Sequence, residues 1–150
     1  GIKVMATGGI GGVHREILKT LDISADIYAL SKHNLIVVCS GPKAFLDIKN
    51  TFELLESLSI HVVGYKNSYF ATFFCGVDEN LELKYVLENT KEIAEVYLKM
   101  RDLGMEHSLL VSNPILKEYE LDKNLADMSK VFRISLCTPP IPPVAMTFIP

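Results

Sequence analysis

Residues 35–58 read Leu-Ile-Val-Val-Cys-Ser-Gly-Pro-Lys-Ala-Phe-Leu-Asp-Ile-Lys-Asn-Thr-Phe-Glu-Leu-Leu-Glu-Ser-Leu, and this stretch decides the fold class. The apolar run Leu35–Val38 predicts a strand. A helix is predicted from about Lys43 to Leu58, and the fixed φ of Pro42 suits its start. Its apolar face carries Phe45, Ile48, Phe52 and Leu55. We expect this face to pack on a sheet.

The rest of the chain continues this alternation of strands and helices. Further strands are predicted at Ile2–Ala6, Ile60–Val63, Tyr69–Phe74 and His107–Ser112. A second helix is predicted from Thr90, as its N-cap, to Leu103, with Gly104 as its left-handed stop. Strands that alternate with helices indicate an α/β fold.

Composition narrows the class of protein. The chain has 150 residues, enough for one domain with a real core, and a formal net charge of -3. No run of Lys and Arg stands out, so neither nucleic acid nor a membrane surface is an expected partner. The apolar-rich run Tyr69–Val77 is too short to span a membrane. Cys39, Cys75 and Cys137 are too widely spaced for a zinc site or a disulfide framework. We expect a soluble protein of the cytoplasm, which is a reducing compartment.

Two features bear on domain limits. A strand follows Gly1 almost at once, with no initiator Met, so we expect the chain to start inside a larger fold. Beyond Val131 the sequence becomes rich in proline and continues neither a helix nor a strand. Residues 1–130 are therefore predicted to be the central part of an α/β domain, and residues 131–150 a divergent tail.

Four glycines, Gly8, Gly9, Gly11 and Gly12, follow the first predicted strand. Such a loop allows backbone N–H groups to approach a phosphate. It lacks the Gly-Lys-Ser/Thr of a P-loop, and His14 takes the place of the third glycine of a dinucleotide fingerprint. The pattern fits a phosphate cradle or a tight turn without a ligand. The adjacent His14 and Arg15 favour an anionic ligand.

The segment Asp22-Ile23-Ser24-Ala25-Asp26 is the second polar cluster. An extended backbone places Asp22, Ser24 and Asp26 on one face, and a helix keeps the two carboxylates together. Carboxylate oxygens suit Mg²⁺ or Mn²⁺, which also bind water and substrate phosphate. A solvated acidic surface explains the same spacing. The spacing alone leaves both interpretations open.

Lys43 is the third feature and the candidate nucleophile. It follows a predicted strand, and open α/β sheets bind ligands at the carboxyl ends of strands. The predicted helix would begin here, and the partial positive charge of a helix N-terminus favours a neutral amine over an ammonium. A neutral amine can attack a sugar carbonyl or an anomeric carbon. Because most surface lysines have no chemical role, this prediction depends on the neighbouring sites.

Five blocks occur in a fixed order over roughly residues 2–125. They are Thr7–Arg15, Asp22–Asp26, Val37–Ile48, Val62–Tyr65 and Ser112–Ile115. Together they resemble the pseudouridine-5'-phosphate glycosidases, the family that includes the indigoidine-cluster A proteins. The resemblance implies an α/β/α sandwich, incomplete at both ends, from an enzyme that depends on Mn²⁺ and is usually a homotrimer. Such an enzyme reversibly cleaves the C–C glycosidic bond of pseudouridine 5'-phosphate to ribose 5-phosphate and uracil.

The resemblance also implies a role for each candidate residue. Lys43 matches the nucleophile, which attacks the anomeric carbon and holds the opened ribose as an imine-type adduct. Asp22 matches the metal ligand. Ser24, Ala25 and Asp26 match the substrate-contacting end of their block, and His14 is expected to face the same pocket. An iminium at the lysine would accept electrons from the C–C bond, while an acid protonates the departing ring carbon.

The chain departs from the family pattern at several positions. It has Glu16 in place of glycine, Pro42 and Phe45 in place of small residues, and Ala71 in place of proline. The proton-donating glutamate and a substrate-binding lysine of the family lie in an N-terminal segment that this sequence does not include. A further pocket asparagine belongs to a C-terminal part that differs here.

Three interpretations of function therefore stand side by side. The first is a C-glycosidase, or the catalytic piece of a longer one. The second is an inactive truncated homologue that binds a sugar phosphate or a partner subunit. The third is a generic phosphate-binding α/β module that binds Mn²⁺ but has no reactive lysine.

Overall fold

Residues 1–122, the part of the chain that the computed structural model describes, alternate between strands and helices. The strands are β1 (Val4–Ala6), β2 (Ile36–Cys39), β3 (His61–Tyr65), β4 (Tyr69–Ala71), β5 (Val77–Glu82), β6 (Val86–Leu87) and β7 (Leu109–Ser112). The α-helices are α1 (Ile17–Thr20), α2 (Ala25–Lys32), α3 (Ile48–Ser57) and α4 (Thr90–Asp102). The predicted α/β class is confirmed. The predicted tail, residues 131–150, lies outside the described residues.

Five of these strands form one parallel sheet, in the order β1–β2–β7–β3–β6. β4 and β5 form a separate antiparallel pair. β7 lies in the middle of the sheet, and all of its residues are buried because both faces of a central parallel strand are covered. The carboxyl ends of β1, β2 and β7 lie side by side, so the loops that follow these strands are neighbours.

Helices cover both faces of this sheet. Successive residues of a strand point to opposite faces, so Leu110 packs with α2 and α3, whereas Leu109 and Val111 pack with α4. The first face buries Ile27, Leu30 and Leu55 of the helices. The second face buries Ile93, Tyr97 and Met100. The expected α/β/α layering is therefore present. Within residues 1–122, no helix combines the length and the apolar character that crossing a membrane requires.

The first predicted helix begins later than its pattern indicated. α3 starts at Ile48, and the carboxylate of its N-cap Asp47 accepts a hydrogen bond from the Asn50 N–H at 3.1 Å. Asp is a strong N-cap residue. Pro42 instead lies in a loop, where it forms a parallel bridge with Ile10. Lys43 is therefore not at a helix N-terminus, and the helix-terminus argument for a neutral amine there is wrong.

The other boundaries differ by a few residues. Thr90 is the first residue of α4 rather than its cap, because the Asn89 side chain accepts a hydrogen bond from the Glu92 N–H at 3.0 Å. Gly104 has φ 72°, so the predicted left-handed stop is confirmed. The strand predicted at Tyr69–Phe74 ends at Ala71, since the chain turns into a 3₁₀ helix at Phe73–Cys75.

Candidate functional site

The loops that follow β1 and β2 run beside each other beyond the sheet. The Ser40 N–H donates to the Gly8 carbonyl at 2.8 Å, and the Ile10 N–H donates to the Gly41 carbonyl at 3.1 Å. The Lys43 N–H then donates to the Ile10 carbonyl at 3.0 Å. These bonds hold the glycine loop next to Lys43.

The Asp22–Asp26 segment lies along the other side of the glycine loop. The His14 N–H donates to the Asp22 carbonyl at 3.0 Å, and the Ser24 N–H donates to the Gly12 carbonyl at 2.9 Å. The segment is neither a strand nor a helix throughout, because Ser24 is the N-cap of α2 and its hydroxyl accepts from the Asp26 N–H. The structure thus brings together all three polar clusters that the sequence singled out.

Packing accounts for several glycines of the loop. A β-carbon at Gly11 would collide with the Ser24 side chain, and one at Gly12 would collide with Thr51. A β-carbon at Gly9 would lie 2.6 Å from the ring of Phe73. The Gly11 N–H already has a hydrogen-bond acceptor within the chain, because it donates to Asp26 Oδ2 at 2.7 Å. These contacts explain why glycine is needed at these positions, since the loop is a tightly packed turn. The phosphate-binding role stays a prediction.

His14 and Asp22 form the exposed rim of the site. His14 Nδ1 lies 3.6 Å from Asp22 Oδ2, and the two side chains are 39% and 58% exposed. The His14 ring is tilted against Phe45, with 6.1 Å between the ring centroids. Among the described residues, no group of three or more His, Cys, Asp or Glu side chains could hold a metal. A metal at Asp22 would therefore take most of its ligands from water and substrate.

Lys43 is an exposed side chain, and within residues 1–122 its ammonium makes no hydrogen bond or ion pair. The nearby thiol of Cys39 is no competing nucleophile. Burial raises the pKa of Cys39 to about 11, so the thiol is protonated at neutral pH. Cys75 is also a buried free cysteine, whereas Cys137 lies outside the described residues.

A cavity of about 410 Å³ opens beside the glycine loop, between the sheet and α2. Gly9 and Asp26 line it at the site, and Met5, Leu30 and Val37 give it an apolar wall. Lys43 does not line this cavity. Lys43 therefore lies outside this cavity, on the exposed surface of the chain.

Two buried threonines beside these loops escaped the sequence analysis. Thr51 Oγ1 accepts a hydrogen bond from the Val13 N–H at 2.9 Å and donates to the Asp47 carbonyl at 2.6 Å. Thr72 Oγ1 is buried next to the Ser40–Gly41 loop and has no hydrogen-bond partner among the described residues. No local pattern reveals either role, because both depend on contacts with distant segments.

The same substitution at these two threonines should have opposite effects. Thr51→Val leaves the buried Val13 N–H without an acceptor, so we expect it to lower the free energy of unfolding by about 1–3 kcal/mol. Thr72→Val removes an unpaired hydroxyl of nearly the same shape, so we expect no loss, or a gain of up to about 1 kcal/mol. Urea unfolding of the full chain measures both. An equal loss in the two variants would contradict the unpaired state of Thr72.

Comparison with known proteins matches most of the chain to one protein family. Residues 1–131 match the sequence profile of the family described as "Indigoidine synthase A like protein". Pseudouridine-5'-phosphate glycosidase from Brachyspira hyodysenteriae is 48% identical over 124 residues, which are 83% of this chain and 40% of that protein. The enzyme of the same name from Petrotoga mobilis is 45% identical over 122 residues, covering 81% and 40%.

Two solved structures share the fold. An indigoidine synthase A-like protein from Thermotoga maritima superposes with a TM-score of 0.76 at 35% identity, covering 83% of this chain and 41% of that chain. The prealnumycin C-glycosynthase AlnA, solved in complex with ribulose 5-phosphate, superposes with a TM-score of 0.79 at 28% identity, covering 91% and 44%. This chain thus spans about two fifths of the length of the curated relatives it matches.

Proposed function

The chain belongs to the family of indigoidine synthase A-like proteins, and from this membership we propose that it is the central part of a pseudouridine-5'-phosphate glycosidase. Relatives with that name, at 48% and 45% identity, support the proposal. So does the C-glycosynthase with its bound sugar phosphate. The observation that carries the proposal is the place of Lys43, an exposed lysine in the loop after β2, whose backbone is hydrogen-bonded to the glycine loop that also bonds the Asp22–Asp26 segment.

The proposed reaction proceeds through a covalent adduct on Lys43. The Lys43 nitrogen, after its ammonium has given up a proton to solvent, forms a bond to the anomeric carbon while the bond from that carbon to the ribose ring oxygen breaks, and this oxygen takes a proton. After the nitrogen loses a proton, its lone pair expels the uracil carbon, which takes a proton from an acid. The resulting iminium is hydrolysed by water, which releases ribose 5-phosphate and restores the amine.

The residues around Lys43 are proposed to bind the substrate. We assign this role to His14, Ser24, Ala25 and Asp26, with the glycine loop nearest the phosphate. Asp26 has a structural task as well, because it accepts the Gly11 N–H and so fixes the loop. The hydrogen bonds between the Asp22–Asp26 segment and the loop support this grouping.

Asp22 fits a single-carboxylate site for Mn²⁺. Its carboxylate is a hard oxygen donor and is largely exposed, which leaves room for water and phosphate oxygens. A bound Mn²⁺ would offset the negative charge of the substrate phosphate. His14, which lies next to this carboxylate, would help to orient it.

Replacement of Asp22 by Asn should weaken Mn²⁺ binding at least about tenfold, since one of the few protein oxygens available to the ion loses its charge. Electron paramagnetic resonance of free Mn²⁺, titrated with the full chain and ribose 5-phosphate, measures this loss. Asp102→Asn is the control, because Asp102 is an exposed carboxylate at the end of α4. Equal Mn²⁺ binding by wild type and Asp22→Asn would contradict the assignment.

A second candidate function is an inactive homologue that binds a sugar phosphate or a partner subunit. Synthesis of pseudouridine 5'-phosphate from ribose 5-phosphate and uracil, followed by chromatography, separates the two. Turnover supports the glycosidase, whereas calorimetric binding of ribose 5-phosphate without turnover supports the inactive homologue. Light scattering tests the homotrimer that we propose for the whole protein.

A further inference from the structure

Two histidines contact each other where strands β3 and β7 begin, at the amino ends of the strands and so on the opposite side of the sheet from the candidate site. His61 is the first residue of β3, and His107 lies two residues before β7, its parallel neighbour. The register pairs His61 with Leu109, so both imidazoles are at the amino ends of their strands. Lys43 and Asp22 lie beyond the carboxyl ends, so the proposed glycosidase function makes no use of the histidine pair.

The two rings are arranged nitrogen to nitrogen. His61 Nδ1 lies 2.8 Å from His107 Nε2, the ring planes differ by 4°, and the centroids are 4.9 Å apart. At this distance one nitrogen carries a hydrogen and the other presents a lone pair. The Ser59 carbonyl, 3.1 Å from His61 Nδ1, also accepts hydrogen there, so the lone pair belongs to His107 Nε2.

The histidine pair is accessible to a metal ion. His61 is exposed and His107 is half-buried, so the pair is open to an ion with its waters. Zn–N bonds of about 2.0–2.1 Å at a tetrahedral angle separate two nitrogens by about 3.3 Å. The two nitrogens would therefore move about half an ångström apart to bind one ion. Each must also present a lone pair, so the hydrogen on His61 moves from Nδ1 to Nε2, the bond to the Ser59 carbonyl is lost, and the exposed His61 ring turns until both lone pairs point at the ion.

Other ligands at this site would be water. Glu56, which lines a cavity together with His61, is already engaged, because its Oε1 lies 3.1 Å from the Lys84 ammonium. The part of the chain that the structure describes contains no arrangement of three His, Cys, Asp or Glu side chains suited to a metal. Imidazole suits Ni²⁺, Cu²⁺ and Zn²⁺, whereas Mn²⁺ and Mg²⁺ prefer oxygen ligands.

We propose that His61 and His107 form a two-histidine site for a late transition-metal ion such as Ni²⁺, separate from the Asp22 site. The ion joins the start of β3 to the segment before β7. Because the site requires the folded arrangement of two strands, the bound ion stabilises the folded chain by mass action.

Titration of the full chain with Ni²⁺, followed by calorimetry and by the thermal unfolding midpoint, tests this site. We expect wild type to bind Ni²⁺ and to unfold at a higher temperature when Ni²⁺ is present. His61→Gln and His107→Gln should each weaken binding at least about tenfold and lose the thermal shift, since one imidazole remains. His33→Gln and His14→Gln are the controls, and both should bind Ni²⁺ like wild type.

Two results would overturn the proposal. One is Ni²⁺ binding that survives in His61→Gln and His107→Gln, and the other is binding that disappears in His14→Gln or Asp22→Asn. If a variant fails to fold, histidine NMR of the wild-type chain replaces it. Paramagnetic Ni²⁺ should then broaden the ring signals of His61 and His107 before those of His14 and His33. Broadening of all four rings together would contradict a specific site.

Discussion

Lys43→Ala is expected to abolish covalent capture of ribose 5-phosphate and to lower any turnover by at least about 10³-fold. The amine is the group that forms the bond to the sugar, and alanine has no nucleophile to replace it. Loss of stability is not expected, because the Lys43 side chain is exposed and makes no ion pair or hydrogen bond within residues 1–122.

Reductive trapping measures this effect directly. The full chain is incubated with Mn²⁺, ribose 5-phosphate and borohydride, and the adduct is located by peptide mass spectrometry. Lys49→Ala is the matched control, because Lys49 is an exposed lysine on the nearby helix α3. We expect the adduct on wild type and on Lys49→Ala, but not on Lys43→Ala.

Other outcomes are informative as well. An adduct of equal yield on several surface lysines would contradict a special role for Lys43. A folded wild-type chain without any adduct would contradict catalysis by this chain alone, while its family membership would stand on the sequence match.

Gly41→Ala is expected to cost about 3 kcal/mol of folding stability. Gly41 has φ 87°, which an L side chain rarely adopts, and its β-carbon would collide with the Ala71 carbonyl oxygen. Relief of the collision must move either the Ala71 backbone or the loop that leads to Lys43. We therefore also expect a lower yield of the Lys43 adduct in this variant.

Gly104→Ala separates the two causes of the stability loss in Gly41→Ala, which are the left-handed backbone and the collision with Ala71. Gly104 has φ 72°, but a β-carbon there would meet nothing within 4 Å. This variant should lose only about 1 kcal/mol, from the left-handed backbone alone. Urea unfolding of the two variants gives the difference. Equal losses would show that the approach of Gly41 to Ala71 costs nothing.

Within residues 1–122, local patterns in the sequence predict two of the four α-helices, α3 and α4, and five of the seven strands, but not their starting points. No pattern predicted α1, α2, β5 or β6. The apolar spacing predicts that α3 packs on the sheet, and Gly104 predicts the end of α4. Pro42 and Asp47 are both residue types that favour a helix start, and α3 begins after Asp47, whereas Pro42 forms a bridge with Ile10. That bridge joins segments far apart in sequence, so no local window contains the information.

In the candidate site, too, features that follow from local sequence could be predicted, whereas those that depend on contacts between distant segments could not. Its location could be predicted, because loops after parallel strands meet at one edge of the sheet, and the glycine loop and Lys43 both follow such strands. The packing of Gly12 against Thr51 and the unpaired hydroxyl of Thr72 could not, since they arise from tertiary contacts. The pairing of His61 with His107 likewise depends on the register of β3 against β7.

The position of β7 also constrains how the chain can be made. Within residues 1–122, β1 pairs with β2 and β3 pairs with β6, and β7 is the strand whose hydrogen bonds join these two halves of the sheet. During synthesis, β2 and β3 therefore each expose an unpaired backbone edge until Leu109–Ser112 have left the ribosome. A nascent chain that stops short of this strand therefore has two unpaired strand edges, and such edges are templates for aggregation.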